Sequence, residues 1–187
     1  MIIDQKPFNE LIFDAFTKKI TWLEASSRYP LTDVIDTFRS IRAAFRRLLN
    51  GLTDAQVAYI APNTPTWSIS EAVTHIIYSQ NGYYNQLLDS SASELPHIAE
   101  AAQGFGEGAK VGIPAEELRL SLTAATTRIE FAFSQTLGKA DLTKTTTNTL
   151  FGEVNYAAWL LLMSAHEVDH YRQAAVMRRL ARAAYPA

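Results

Sequence analysis

A chain of 187 residues is long enough to bury one substantial core and short for two domains. Hydrophobic residues at 48% and charged residues at 19% exclude a disordered chain, and a net charge of −2 gives neither nucleic acid nor an acidic membrane surface a claim on the whole molecule. With no cysteine, disulfides, a thiolate nucleophile and sulfur-ligated zinc are all excluded.

The opening "MIIDQKPFNE" lacks a basic region followed by an apolar core, so it does not read as a secretory signal. No apolar run reaches about 18 residues, so no membrane span is expected and a cytoplasmic location is. The first periodic run, "PFNELIFDAFTKKITWLEA", places Phe8, Leu11, Ile12, Ala15, Phe16 and Leu23 on one face of a helix from Pro7 to about Ala25. A second, "LTDVIDTFRSIRAAFRRLLNG", repeats the pattern with Val34, Ile35, Phe38, Ile41, Phe45 and Leu48, and Asn50-Gly51 stops it. "LTDAQVAY" supplies one short helical turn before Pro62 and Pro65. In "TWSISEAVTHIIYSQNGYYNQLL", Ser68 and Glu71 stand in capping-box spacing, so a helix starts near Ile69 and runs to about Leu88.

The connection from Asp89 to Ile113, with Gly104, Gly106, Gly108 and Gly112, is long for a compact domain, and "SELPHIAEAAQ" is a candidate helix within it. Pro114 opens the next helix and Gly138 closes it. "TKTTTNTLFGEV" has β-branched residues without sustained alternation and reads as a loop. The last helix runs from about Glu153 to Arg182 and carries Trp159, Leu161, Leu162, Met163, Val168, Met177 and Leu180. Two basic clusters, Arg39, Arg42, Arg46 and Arg47, and then Arg172, Arg178, Arg179 and Arg182, read as solvated helix ends complementing the dipole. Long amphipathic helices without a sheet bury their stripes against each other. The fold class expected is therefore all-α, a helical bundle forming a single domain over 1–187, with an extra N-terminal helix in 1–30 and the bundle in 31–182.

Four histidines occur: His75, His97, His166 and His170. On one helix, His166 and His170 are separated by about 40° and about 6 Å of rise, so both imidazoles can reach one ion. "HEVDH" also spells the zinc-peptidase pattern, but such sites need a third ligand downstream. The remainder, "YRQAAVMRRLARAAYPA", has no Asp, Glu or His, and Val176 occupies the position of a third histidine. The third ligand therefore has to come from upstream. His75 shares a helix face with Ala72, Ile76, Ser79 and Tyr83; alone it would read as a buried, hydrogen-bonded histidine. Three inward imidazoles in one small bundle are costly to bury without a shared partner, and a divalent metal is the natural one. His97, next to Pro96, reads as a solvated loop residue.

Glu167 points about 100° away from His166 around the helix. It is a candidate catalytic base by analogy with peptidases, with a contact to a ligand or to a neighbouring helix as the favoured alternative. Asp169 reads as solvent-exposed. Tyr78 lies one turn from His75 and reads as core, with a hydrogen bond to a ligand as the alternative. Trp67, Tyr83, Tyr84 and Trp159 read as core or staple residues.

"WSISEAVTHI" and "HEVDHYRQ", in that order, together with "TLFGEVNYAAWLLLMSAHE", make the chain resemble the DinB-like superfamily of metalloenzymes over roughly Leu31 to Leu180. That superfamily includes the thiol-dependent transferases acting with bacillithiol or mycothiol. The resemblance implies a four-helix bundle holding a divalent metal, zinc or nickel, on His75, His166 and His170. The segment before Leu31 departs from the family pattern; it packs beside the bundle or buries a subunit interface, so a homodimer is among the expectations. Three neutral ligands leave an open position, which lowers the pKa of bound water to about 7 or takes a small thiol as its thiolate. The function expected is transfer of a low-molecular-weight thiol cosubstrate to an electrophilic small molecule, with no nucleic-acid or membrane partner. A metal-dependent hydrolase and a non-catalytic metal-binding stress-response protein are the alternatives.

Overall fold

The computed structural model describes residues 5–63, 66–88, 108–136, 145–148 and 151–186. Among these are seven helices: α1 (Gln5–Phe16), α2 (Trp22–Ser26), α3 (Leu31–Leu49), α4 (Asp54–Ala58), α5 (Ile69–Leu88), α6 (Ala115–Thr136) and α7 (Tyr156–Ala184). A short antiparallel pair, β1 (Thr146–Asn148) and β2 (Gly152–Val154), lies between the last two. The bundle is made of α3, α5, α6 and α7. Helix α7 packs on α3 and α5, and α6 closes the ring against the same two. Its core is a continuous set of fully buried side chains, among them Phe38, Phe45, Leu49, Ile69, Ile76, Leu118, Leu122, Phe133 and Trp159. No helix among the described residues is long and apolar enough to cross a membrane.

Helix α3 ends as its sequence dictates, with Gly51 at φ +68°, in the left-handed region that closes a helix without a Cβ penalty. Helix α5 starts on the expected capping box. The Glu71 carboxylate accepts from the Ser68 amide at 2.8 Å and the Ser68 hydroxyl at 2.7 Å, while that hydroxyl accepts from the Glu71 amide at 3.2 Å. The cap fixes the height and rotation of everything on α5, His75 included. The described end of the 89–113 connection is laced to the same helix. Ser70 donates to the Lys110 carbonyl at 2.7 Å, and the Lys110 amide donates to the Thr74 hydroxyl at 2.8 Å.

Three expectations are corrected. The N-terminal run is two helices rather than one: the chain turns at Lys18, which has φ +59°, and restarts on a second capping box between Thr21 and Glu24. Phe16 is consequently half-exposed, and Trp22 instead of Leu23 takes the buried position. The segment read as a loop contains the β1–β2 pair, in register Thr146↔Val154 to Asn148↔Gly152. Gly152, the first residue of β2, takes φ +76°, which a glycine adopts without a Cβ penalty, and Val154 is fully buried. Because β2 occupies Gly152–Val154, α7 begins at Tyr156, capped by the Asn155 side chain, instead of at Glu153. The hairpin is held to the N-terminal helices by an edge-to-face cluster of Phe16, Trp22 and Phe151. The candidate helix in "SELPHIAEAAQ", His97 and the stop at Gly138 lie outside the described residues.

Candidate metal centre

Seven residues beyond Ser68, the register of α5 turns His75 toward α7. On α7, His166 and His170 are one turn apart and point back. The Nε2 atom of His166 lies 3.1 Å from Nε2 of His75 and 3.1 Å from Nε2 of His170. All three donor nitrogens fall within 4.8 Å of one another, and the ring centroids are 4.5 to 5.1 Å apart. His170 is buried and His166 partly so, and His75 shares its face of α5 with the fully buried Ala72 and Ile76.

Two of the three separations suit a shared divalent ion. Zinc–nitrogen bonds of about 2.0–2.1 Å place tetrahedral ligand atoms about 3.3 Å apart, and octahedral neighbours about 2.9 Å apart. The two separations of 3.1 Å fall between these values. The rings are also in the protonation state that ligation needs. Burial, then the neighbouring His170 and His75, then Arg42, push His166 from its ordinary value of 6.5 down to about 3. Burial and His75 lower His170 as well, with Gln173 and Asp169 partly offsetting them. Both rings are neutral near pH 7, and a neutral imidazole has a lone pair to give.

This shift has a consequence for the metal-free protein. The unfolded chain takes up a proton at His166 near pH 6.5, and the folded chain does so only near pH 3. Between those values the unfolded state binds the extra proton, so stability falls as pH falls through that window. The expected slope approaches about 1.4 kcal/mol per pH unit for His166 alone, with His170 adding in the same direction. Urea midpoints of metal-free protein measured from pH 7 to pH 4 should show this decline, and replacing His166 with glutamine should flatten it.

The surroundings of the cluster come from residues that the sequence did not assign to it. The Trp67 ring lies parallel to His170, at 2° between planes and 5.1 Å between centroids, and meets His75 edge-on at 4.9 Å. Trp67, expected as core or staple, is thus a wall against two of the three imidazoles. Gln173 accepts from Nδ1 of His170 at 3.1 Å and donates to the Asp169 carboxylate at 3.1 Å. Asp169 is exposed, as expected. Tyr78, read as core, is half-exposed and packs over Gly108, where an added Cβ would stand 2.2 Å from its own Cβ. Tyr171 packs edge-on against Phe45, and Trp159 is in the core.

Glu167 is fully buried and forms an ion pair with Arg42 of α3. Arg42, expected among the solvated arginines, falls instead on the Phe38–Phe45 face of α3 and is completely buried, its guanidinium 5.2 Å over the Phe38 ring. Arg39, Arg46, Arg47, Arg172, Arg179 and Arg182 are exposed. Burial pushes the Glu167 carboxyl above its ordinary value, and the Arg42 guanidinium pulls it back.

A helical bundle whose facing helices α5 and α7 bring three imidazoles together has a cluster of the size and chemistry that could hold a metal ion. The chain belongs to the DinB superfamily, whose family profile matches residues 37–174, a span that contains all three histidines, Arg42 and Gln173 and leaves α1 and α2 outside. No curated protein matches the chain, and no solved structure does.

Proposed function

We propose that this protein is a divalent-metal-dependent enzyme that transfers a low-molecular-weight thiol to an electrophilic small molecule, with His75, His166 and His170 as the metal ligands. The observation that carries the metal is the approach of three ring nitrogens within 4.8 Å of one another, His166 Nε2 standing 3.1 Å from each of the other two. An all-imidazole set suits zinc or nickel, and three ligands instead of four are the composition of a working site rather than a structural one. When bound, the ion supplies a Lewis acid with a position left for a reactant. The chain's own residues do the rest: Trp67 covers the His170 ring, and the Arg42–Glu167 pair holds α7 against α3 behind the cluster.

The carboxylates near the histidines favour the thiol. Hydrolysis asks for a base to take a proton from water. Glu71 serves the α5 cap, Glu167 is paired with Arg42, and Asp169 faces Gln173. A thiol ionises with a pKa of about 8.5 in water and needs far less help. The chain contains no cysteine, so the sulfur arrives with the cosubstrate. We read Glu167 accordingly as a structural partner of Arg42 rather than as the base, and place the enzyme in the cytoplasm, acting on small molecules.

The test is metal content of tag-free protein by mass spectrometry, comparing wild type with His75→Ala and His170→Ala. Thiol consumption by the zinc- and nickel-loaded forms then follows, with bacillithiol or mycothiol and an alkylating electrophile. One ion per chain, lost in both variants, with metal-dependent loss of free thiol, is the expected result. Turnover with water alone would replace the transferase by a hydrolase. Stoichiometric metal with neither activity would leave a metal-binding protein.

A further inference from the structure

His166 and His170 are chemically the same ligand, but their second ring nitrogens are treated differently. Nδ1 of His166 is buried and meets no hydrogen-bond partner among the described residues. Nδ1 of His170 lies 3.1 Å from Oε1 of Gln173, and Nε2 of Gln173 donates to Oδ2 of Asp169 at 3.1 Å. The direction of this chain follows from what each group can do. A carboxylate oxygen only accepts, so the amide NH₂ of Gln173 faces Asp169 and its carbonyl faces His170. A carbonyl also only accepts, so Nδ1 of His170 carries the hydrogen. In a neutral ring that leaves Nε2 as a bare lone pair, and it is Nε2 that faces the other histidines.

We infer that Gln173, oriented by Asp169, is a positioning residue that locks His170 in its Nδ1–H tautomer and so presents Nε2 to the metal; this rests on the metal-centre reading proposed above. The relay is local. Asp169 and Gln173 are four residues apart on α7 and His170 and Gln173 three apart, so both contacts lie along one face of the same helix. Asp169 is exposed and Gln173 only partly buried, so the carboxylate directs the amide without the cost of a buried charge. Trp67 stacks flat on the His170 ring, restricting its tilt while the Gln173 hydrogen bond restricts its rotation. Of the two ligands on α7, His170 is therefore the preorganised one and His166 the one whose ring adjusts.

The experiment is ¹⁵N-histidine NMR of the full chain, metal-free and zinc-loaded, combined with zinc affinity by competition with a chromophoric chelator. Wild type, Gln173→Ala and Gln173→Glu are compared. In metal-free wild type, His170 should show the Nδ1–H tautomer. Gln173→Ala should turn this into a mixture and weaken zinc binding roughly 10- to 100-fold, with circular dichroism and the metal-free melting temperature nearly unchanged. Gln173→Glu, which restores an acceptor to Nδ1, should recover the tautomer and most of the affinity. A wild-type His170 in the Nε2–H form, or a Gln173→Ala protein with unaltered tautomer and affinity, overturns the inference. A wild type that takes up no zinc while its His170 tautomer still responds to Gln173→Ala removes the metal centre and upholds the hold of Gln173 on the ring.

Discussion

Replacing His166 with alanine is expected to weaken zinc binding on the order of a hundred- to a thousandfold. His166 Nε2 is the shared neighbour, 3.1 Å from the Nε2 atom of each of the other two rings. Binding free energies of about 10–16 kcal/mol for four-ligand zinc sites, spread over the ligands, suggest about 2.5–4 kcal/mol for each, a loss on the order of a hundred- to a thousandfold in affinity. The metal-free variant should be no less stable than metal-free wild type, because the substitution removes a buried imidazole whose Nδ1 has no partner. The difference between the two proteins should appear only when zinc is added, as a rise in melting temperature that the variant lacks. His97→Ala serves as the control and should keep its metal. If His166→Ala binds zinc as tightly as wild type, the three-histidine centre is wrong.

The second large effect is expected at the Arg42–Glu167 pair. Both side chains are out of water, and Glu167 Oε2 together with Arg42 Nε and Nη1 finds no other hydrogen-bond partner among the described residues. Removing either partner strands the other in the core, so Arg42→Ala and Glu167→Ala should each cost about 3–5 kcal/mol. In a chain of 187 residues that is a fall of roughly 8–15 °C in melting temperature. The double replacement Arg42→Met with Glu167→Leu should recover most of the loss, since apolar side chains of similar volume do as well as a buried ion pair or better. Thermal melts and a double-mutant cycle read this directly. A Glu167→Ala protein that melts like wild type yet has lost turnover would return Glu167 to the role of catalytic base.

Much of the frame was legible because it is written in local signals. The Asn50-Gly51 stop ends α3, and the Ser68–Glu71 box starts α5, so the height of His75 could be read before any contact was known. The i, i+4 spacing of His166 and His170 placed two imidazoles on one face of one helix. What escaped the sequence falls into two kinds. One is local signal overridden by a stronger one: the apolar period from Phe8 to Leu23 is continuous, yet Thr21 and Glu24 restart the helix. The Thr21–Glu24 spacing was present in the sequence and was the clue. Gln173 belongs here too, since Asp169, His170 and Gln173 stand at helical contact spacing.

The other kind is long-range. Arg42 and Glu167 are 125 residues apart, and nothing in a single chain pairs them, although Arg42 between Phe38 and Phe45 lies on an apolar face where an arginine needs a partner. The parallel stacking of Trp67 on His170 is likewise a product of packing. Strands of three residues are too short to show alternation, so β1 and β2 had no periodic signature.

The geometry of the three histidines also bears on chain topology. His75 and His166 are 91 residues apart, so one ion held between α5 and α7 would close a loop of half the protein. By the chain-entropy estimate for a cross-link, such a closure restricts the unfolded ensemble by about 4–5 kcal/mol. A protein without a single cysteine would thereby carry the equivalent of a disulfide, one that a chelator or acid opens and a reductant does not.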